Sequence, residues 1–260
     1  MMQPLPLSLT WQKEDTYTFL PVFMSVVLFE IYWFTTQSAK IKAFFYDKFE
    51  YDQASAYHIT FLRLFGFVTM GLGSGVLSMI IMSDYSLSSY GLTYIDESAF
   101  FTVSWTVGLM LIIIPIAYFS ARKPRNLVNY PQIRARIWTS KIVFMNAFGW
   151  FMYLFGYEFL FRGVLLFPLA EHLGVWPAVA ISIAICSVAH IPKGLDETIG
   201  SIILGFVFCV LTLESGTIWI ALFVHVALAW TNGFTALKYH PDMQYLRSAK
   251  LVRTGFRESA

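Results

Sequence analysis

Four polar side chains lie within long apolar runs of the sequence, and their residue types can do chemistry: Glu158, Arg162, His190 and His225. Glu158 and Arg162 are four residues apart, so on a helix they share a face about 6 Å apart along the axis and can pair. A carboxylate can act as a general base for water, and a neutral histidine can bind a metal ion or share the proton transfer. One carboxylate and two histidines on three helices are therefore the parts of a water-activating site.

Each of these residues also has a structural interpretation. A buried Glu158–Arg162 pair can hold helices together without any reaction. A single histidine in an apolar run, as at His190 or His225, is more often a hydrogen-bonded packing residue. Asn232 lies seven residues beyond His225 and shares its helix face. Because charge inside a bilayer is costly to retain, the combination still favours a functional site.

The elements that position these residues follow from a very apolar composition. Of 260 residues, 57% are hydrophobic and 13% are charged, about half the charged share of a typical soluble domain. A soluble protein of this composition would expose apolar surface everywhere, whereas a bilayer removes that problem. The net charge of +2 gives no argument for a nucleic-acid partner. Cys186 and Cys209 lie in apolar runs, so no disulfide framework is expected.

The apolar runs predict an all-α fold, a polytopic transmembrane helix bundle. A helix needs about 20 apolar residues to cross about 30 Å of hydrocarbon, and a spanning segment must satisfy its own backbone polar groups. About seven spans are expected, or eight with a short re-entrant piece. They lie at about residues 19–36, 59–82, 100–119, 142–169, 176–191, 199–213 and 218–236.

Lysine and arginine in the loops predict the orientation. The stretch between the third and fourth spans is the most basic, whereas the loop at 83–99 has acidic residues and no Lys or Arg. We therefore expect the N-terminus outside, the C-terminus in the cytoplasm and residence in a bacterial plasma membrane. The first residues lack the pattern of a cleaved signal peptide, so the first span is expected to direct insertion. The basic residues of that stretch and of the C-terminal tail are Arg122, Lys123, Arg125, Arg134, Arg136, Lys141, Lys250, Arg253 and Arg257.

The fourth span is too long for a simple crossing. Its length of about 28 residues makes about 42 Å of helix, so it must tilt, begin below the membrane or break near Pro168. If each predicted span crosses the membrane as one straight helix, Glu158 lies near mid-membrane and His190 lies towards the cytoplasmic end of its span. The two residues meet only if the fifth helix starts deeper or the chain around Pro168 is re-entrant.

Two weaker features concern helix packing. Glu30 in the first span is expected to pair with Arg63 of the second at a similar depth, as a structural contact. Gly71 and Gly75 are one turn apart and allow a close approach of helices, either within one chain or in a dimer.

The polar residues fall into three ordered motifs. The first runs from Tyr157 to Gly163 (YEFLFRG), the second from Cys186 to His190, and the third begins at His225. In order and spacing they resemble the Glu-Glu-x-x-x-Arg, Phe-x-x-x-His and His-x-x-x-Asn motifs of the CaaX-protease and bacteriocin-processing (CPBP) family of intramembrane proteases, often called Abi. The resemblance covers about residues 156–232.

Three positions depart from the family pattern. Tyr157 replaces the first Glu, Cys186 replaces the Phe and Ala229 replaces the Asn. The resemblance also sets the expected domain division. It comprises N-terminal helices with a basic loop at 1–137, a protease core at 138–240 and a basic tail at 241–260.

The resemblance implies a membrane-embedded metallo-endopeptidase that cuts a peptide or membrane-protein substrate. Glu158 and His190 are expected to activate water for attack on a peptide carbonyl, and Arg162 is expected to hold Glu158. His225 either binds a metal ion or stabilises the oxyanion. The implied cofactor is zinc, with Glu158, His190 and His225 as ligands.

Two other functions stay open. The family takes the first Glu as the base, and a phenol with a pKa of about 10, as at Tyr157, is a poor base near neutrality. If no other residue replaces the missing base, the chain is an inactive relative that acts as a membrane scaffold or immunity factor. The other is a small transporter with Glu158 and the histidines as a proton relay, against which the sequence shows no inverted repeat. The sequence specifies neither the substrate nor the oligomeric state.

Overall fold

The computed structural model of the chain describes residues 9–191 and 194–246. The predicted tail cations Lys250, Arg253 and Arg257 lie outside the described residues, as do Pro192 and Lys193 beside the second motif. The helices, in chain order, are α1 (Lys13–Thr36), α2 (Ala39–Tyr46), α3 (Tyr51–Gly66), α4 (Ser74–Ile81), α5 (Asp96–Ala121), α6 (Pro124–Leu127), α7 (Ser140–Glu158), α8 (Leu166–Leu173), α9 (Val175–Val188), α10 (Leu195–Ser215) and α11 (Trp219–Tyr239).

Short non-α elements complete the fold. Two π-helical segments, Phe67–Gly73 and Phe159–Leu165, join α3 to α4 and α7 to α8 without a break, and a 3₁₀ turn covers Ser88–Tyr90. A parallel pair of two-residue strands, β1 (Ile137–Trp138) and β2 (Gln244–Tyr245), connects the loop before α7 to the end of the described chain. The all-α bundle predicted from the sequence is confirmed.

Six of the described helices are long and apolar enough to cross a membrane. They are Lys13–Thr36, Tyr51–Ile81, Asp96–Ala121, Ser140–Leu173, Leu195–Ser215 and Trp219–Tyr239. The predicted fifth span is instead α9, a helix of 14 residues. At about 1.5 Å per residue it is about 21 Å long, short of the roughly 30 Å of a hydrocarbon core. The chain is an integral membrane protein, and its α9 is too short for a full crossing.

One end of the bundle is formed around the acidic loop at 82–95. Lys13 at the start of α1 forms an ion pair with Asp84 of this loop, at 2.7 Å. The Tyr85 hydroxyl donates to Glu171 near the end of α8, at 2.5 Å. Trp219, the first residue of α11, donates to the Thr93 carbonyl at 2.7 Å. We call this the acidic end.

The opposite end is formed around the basic segment at 122–139. Asp52 at the start of α3 accepts hydrogen bonds from the backbone N–H groups of Arg136 and Ile137, at 2.8 and 3.0 Å. Arg125 forms an ion pair with Asp196 at the start of α10. We call this the basic end. Since α8 ends at the acidic end and α10 begins at the basic end, the chain returns to the basic end over α9 and the residues that follow it.

The fourth long helix is the centre of the bundle. In its most apolar window 78% of the residues are buried inside the protein, against 0% for α5, which packs on α11 at the periphery. The helix does not break at Pro168, which lies inside α8. The π-helical segment comes directly before this proline, where the proline lacks the N–H that would continue the regular hydrogen-bond ladder.

The central helix packs very closely on the α3–α4 helix. A Cβ atom on Gly156 would lie 2.9 Å from the Phe67 Cα, and one on Gly71 would lie 3.1 Å from the Gly156 Cα. A Cβ on Gly75 would be 3.2 Å from the Phe159 ring. Gly71 and Gly75 therefore serve packing within one chain, the first of the two uses that the sequence left open.

The predicted Glu30–Arg63 pair is wrong. Glu30 lies on the exposed face of α1, whereas Arg63 is buried, with 2% of its surface exposed, and bonds to Asn146 and Gln132. Two residues at a similar depth meet only if each helix is rotated about its axis so that the two side chains face each other, and depth alone does not determine this rotation. Both faces of a membrane helix can be apolar, so the sequence gives little indication of which face meets the bundle.

Candidate active site

The predicted Glu158–Arg162 pair forms where α7 passes into its π-helical segment. Glu158 is fully buried and the Arg162 side chain is 4% exposed, with Arg162 Nε 3.2 Å from Glu158 Oε2. This contact is an ion pair without a hydrogen bond, because the N–H of Arg162 Nε is not directed at Glu158 Oε2. Arg162 also donates from Nη1 to the Cys186 thiol at 3.4 Å, and its guanidinium lies 5.7 Å from the centre of the Phe208 ring. The arginine thus links the central helix to α9 and α10.

His225 approaches the same carboxylate from α11. Its Nδ1 lies 2.5 Å from Glu158 Oε1. Since a carboxylate accepts, Nδ1 carries the hydrogen, and the neutral imidazole then has its lone pair on Nε2. The His225 side chain is 20% exposed and lines a cavity, whereas Glu158 is fully buried behind the cavity wall. The pair is a carboxylate–imidazole dyad in which the imidazole faces the cavity.

His190 follows the short helix α9 and lines the same cavity. Its Nδ1 donates to the Cys186 carbonyl at 2.8 Å, which fixes the ring towards the preceding turn. The depth difference expected between His190 and the motif in α7 is absent, because the His190 ring lies 6.4 Å from that of Tyr157. The shortness of α9 explains this, since the helix ends at the level of the site rather than at the basic end.

Tyr157 lies where the family motif has its first Glu. Its ring is edge-on to both histidines, with centre-to-centre distances of 6.4 Å to His190 and 5.8 Å to His225. The residue is 3% exposed and lines the cavity. Among the described residues, its buried hydroxyl has no hydrogen-bond partner. Tyr157 therefore supplies an aromatic wall and a polar atom at the position of the missing carboxylate.

The cavity has a volume of about 730 Å³ and runs from these residues towards the basic end. Its inner part is bounded by Tyr157, His190 and His225, and its outer part by Lys42 and Arg134. Further along α11, Ala229 and Asn232 also line it, so the face shared by His225 and Asn232 is the cavity face. The site is thus a pocket in which charged and polar side chains stand among apolar ones, within an apolar bundle.

Zinc requires ligands whose lone pairs converge on one point about 2.0–2.3 Å away. Within 9–191 and 194–246, no three His, Cys, Asp or Glu side chains form such a group. One carboxylate oxygen of Glu158 accepts a hydrogen bond from His225 Nδ1, and the other faces the Arg162 cation. The described arrangement therefore does not fit a zinc ion held by Glu158, His190 and His225, and that ligand set stays a prediction.

Sequence reasoning missed the role of Arg63 in this cavity. Arg63 belongs to α3 yet lines the same pocket as the two histidines. An arginine inside a predicted span was the available signal, because such residues generally face a bundle interior or a water-filled cavity. The sequence assigned it instead to a structural pair with Glu30.

The fold and the site together define a class, a polytopic integral membrane protein with a buried carboxylate–imidazole dyad at an internal cavity. Residues 138–231 match the family model described as type II CAAX prenyl endopeptidase Rce1-like. This stretch contains all three motifs, and the resemblance to CaaX-type intramembrane proteases is confirmed over it. No curated protein and no solved structure matches the chain.

Proposed function

We propose that this protein is an intramembrane endopeptidase of the CAAX type in which His225, held by Glu158, activates the attacking water. The observation that carries the proposal is the 2.5 Å contact between Glu158 and His225, with the imidazole on the cavity wall and the carboxylate behind it. The family match supports proteolysis as the reaction class. Glu158 acts through His225 and is a positioning residue, while His225 touches the reacting atoms.

The reaction proceeds by two proton transfers at His225 Nε2. The imidazole takes a proton from water as the water oxygen bonds to the peptide carbonyl carbon, and the carbonyl oxygen becomes an oxyanion. The Glu158 carboxylate stabilises the imidazolium that forms, as the buried carboxylate of a catalytic triad does. When the C–N bond breaks, the imidazolium returns the proton to the leaving amine nitrogen. No net charge is left in the site after the cycle.

The other site residues prepare this dyad. Arg162 balances the buried charge of Glu158, which keeps the carboxylate ionised and aimed at His225 Nδ1. His190 lines the cavity close to Tyr157 and contacts the substrate beside the attacked carbonyl. In this proposal His225 takes the base role that the motif resemblance implied for Glu158 with His190, and Glu158 becomes a positioning residue.

The cavity also supports a direction of substrate entry. It extends to Lys42 and Arg134 at the basic end, and the positive-inside rule assigns this end to the cytoplasm. The start of α1 then lies outside a bacterial plasma membrane, and β2 lies on its cytoplasmic side. The partners we propose are the lipid bilayer and a peptide or membrane-protein substrate that enters from the cytoplasmic side.

A second candidate function is an inactive relative that binds a peptide or partner protein in the same cavity. The observation in its favour is that the phenol of Tyr157 stands on the cavity wall where the family has its first Glu, while Glu158 lies behind that wall. In this case His190→Ala and His225→Ala leave the biological role intact. A Tyr157→Glu variant that gains cleavage, beside an inactive wild type, would establish this function.

The decisive experiment is a cleavage assay of the full-length protein in detergent against a mixed library of peptides and membrane-protein fragments. We expect cleavage by the wild type that is lost in folded Glu158→Gln, His190→Ala and His225→Ala proteins. Glu30→Gln is the matched control, since Glu30 is an exposed carboxylate of a membrane helix remote from the dyad. Unchanged cleavage by folded His225→Ala would sink the assignment.

Metal analysis of the same preparations tests the zinc prediction separately. The Glu158–His225 hydrogen bond and the Arg162 cation predict zinc well below one ion per chain. Stoichiometric zinc that is lost in His190→Ala or His225→Ala would instead support the three-ligand set, and the dyad described above would have to open to bind it.

A further inference from the structure

A segment between α5 and α7 crosses the basic end of the cavity. We call residues 125–134 the strap. On one side the strap bonds to α3, and on the other side it bonds to α10 and α11. All three helices line the cavity, so the strap connects opposite parts of the cavity wall. The strap side chains that line the cavity are Val128, Asn129, Tyr130, Gln132 and Arg134.

The half of the strap that faces α3 belongs to the buried core. Ser55 of α3, which is 1% exposed, accepts a hydrogen bond from the backbone N–H of Arg134 at 2.7 Å. The side-chain oxygen of Gln132 accepts a hydrogen bond from buried Arg63 of α3 at 3.1 Å. Between these two positions, Ile133 is fully buried in an apolar cluster with residues of α3 and α7. Separation of this half from α3 would leave buried polar groups unpaired and expose apolar surface, both of which are costly.

The other half of the strap is held by weaker contacts. Arg125 forms an ion pair with Asp196 at the start of α10, and the two side chains are 74% and 65% exposed. The Asn126 amide donates to the side-chain oxygen of Asn232 in α11 at 3.4 Å, near the upper limit for a hydrogen bond. Exposed ion pairs and long hydrogen bonds contribute little to stability. The strap therefore separates from α10 and α11 more readily than from α3.

Tyr130 places an aromatic ring between the dyad and the basic end. The ring is 6% exposed and belongs to one apolar cluster with Leu154 of α7 and Ala229 of α11. Leu154 is four residues before Glu158 and Ala229 is four residues after His225, so each is about one helical turn from the dyad. Both turns lie on the basic side, because α7 runs from the basic end and α11 runs towards it.

The Tyr130 ring depends on the weakly held half of the strap. Its hydroxyl donates to Glu197 of α10 at 3.5 Å, one residue after the Asp196 that pairs with Arg125. A movement of the strap away from α10 would break both contacts and would carry the ring out of the space beside the dyad. The ring and the ion pair thus form one unit at the end of the cavity that faces the basic segment.

We propose that the strap is a gate that turns about its attachment to α3, with the Arg125–Asp196 ion pair as its latch. Release of the latch withdraws the Tyr130 ring and opens the cavity from the basic end. The proposal rests on the proposed function only in taking the cavity as the path of a peptide substrate. Opening can be measured without cleavage, so the two proposals fail independently.

The test uses a natural thiol as a reporter of opening. Cys186 lines the cavity and is 2% exposed, and in a Cys209→Ser background it is the single thiol of the chain. The measurement is the rate at which N-ethylmaleimide labels Cys186 in the full-length protein in neutral detergent, followed by mass spectrometry. The reagent is uncharged, so a change of charge at the latch does not attract or repel it.

Loss of the latch should speed the labelling. We expect Arg125→Gln and Asp196→Asn each to raise the labelling rate about two- to fivefold, the range that corresponds to an exposed ion pair. The two variants change the net charge in opposite directions, so a shared increase reports the loss of the pair. The exchange Arg125→Asp with Asp196→Arg restores a pair and should return the rate towards that of the reference protein. Lys123→Gln is the matched control and should keep the reference rate, since Lys123 is an exposed cation two residues before Arg125 and outside the ion pair.

Salt gives an independent measurement on the unaltered latch. Raising the salt from about 0.1 to about 1 M shortens the Debye length from about 10 to about 3 Å and weakens an exposed ion pair. The labelling rate should rise with salt when the latch is intact and should not respond in Arg125→Gln. A rate that ignores both latch substitutions, or that changes equally with salt in the presence and absence of the latch, would overturn the gate.

A reversible bridge tests whether a peptide needs the gate to open. Arg125→Cys and Asp196→Cys are combined with Cys186→Ser and Cys209→Ser, and the two new thiols are joined by a reducible bis-methanethiosulfonate. The bridge should lower cleavage at least about tenfold relative to the same protein before bridging, and dithiothreitol should restore it. A bridged protein that cleaves as fast as the unbridged one would overturn the proposal.

Labelling and cleavage together separate the two proposals. Latch-dependent labelling in a protein that cleaves no peptide contradicts the endopeptidase and keeps the gate. Cleavage by a protein whose labelling is independent of the latch contradicts the gate and keeps the endopeptidase.

Discussion

Replacement of Glu158 by Gln tests the buried charge cluster on which the proposed function depends. Glu158 is fully buried between Arg162 Nε at 3.2 Å and His225 Nδ1 at 2.5 Å. A glutamine of nearly equal size leaves the Arg162 cation buried without its counter-charge. Removal of one partner of a buried ion pair typically costs about 3–5 kcal/mol. For a chain of this size each kcal/mol shifts the melting temperature by about 2–4 °C, so we expect a fall on the order of 10 °C.

The same substitution should abolish cleavage by a different route. Without the carboxylate, His225 loses the acceptor that keeps its hydrogen on Nδ1 and the charge that stabilises its imidazolium. In the serine-protease template, loss of the corresponding carboxylate lowers kcat by about 10⁴-fold. We expect a loss of this order in Glu158→Gln, measured at a temperature well below its melting point so that the protein remains folded.

A double-mutant cycle separates the ion pair from general damage to the core. Melting is measured for Glu158→Gln, Arg162→Gln and the double variant in one detergent, with Glu30→Gln as the exposed control. Because each single variant leaves one buried charge unpaired, the double variant should be less destabilised than the sum of the two. Additive effects within about 0.5 kcal/mol, or a Glu158→Gln protein that melts with the wild type, would refute the charge-cluster argument.

Three further predictions concern packing, the phenol of the site and pH. Gly156→Ala should destabilise by about 1–3 kcal/mol in thermal melts, because the new Cβ would lie 2.9 Å from the Phe67 Cα, whereas Gly108→Ala, with no atom within 4 Å, should have little effect. Tyr157→Phe should keep both stability and cleavage, since it removes a buried hydroxyl without a described partner; a loss of cleavage would give the phenol a part in the reaction. The hydrogen bond that Lys13 donates lowers the pKa of Asp84. The stabilisation of the fold by the Asp84 carboxylate is therefore fully present above the ordinary aspartate pKa and is lost as pH falls through the lowered value. The melting difference between wild type and Asp84→Asn should therefore disappear at strongly acidic pH, and a difference that grows there would contradict this sign.

Several features could be predicted from the sequence because they depend on local patterns. Long apolar runs identify spanning helices, since a segment in lipid must satisfy its own backbone. The spacing of Glu158 and Arg162 places them on one helix face, and the structure pairs them. The ordered motifs around His190 and His225 resemble a family of intramembrane proteases, and residues 138–231 match such a family model.

Other features depend on how the helices are rotated and how deep each one ends. The length of α9 decides that His190 lies beside Tyr157, although the apolar run at 176–191 was interpreted as a full crossing. The rotation of α1 and α3 decides that Arg63 faces the cavity while Glu30 is exposed.

The sequence by itself determined the class of molecule, the unusual length of the fourth span and the residues able to do chemistry. Only the tertiary structure decided that His225 lines the cavity with Glu158 buried behind it, and that Arg63 lines the same cavity from another helix. The physical reason is that lipid and protein interior are both apolar, so hydrophobic periodicity does not orient a membrane helix. Its orientation is set by close packing and by polar contacts between residues far apart in the chain, such as Gly71 with Gly156 and Arg63 with Asn146.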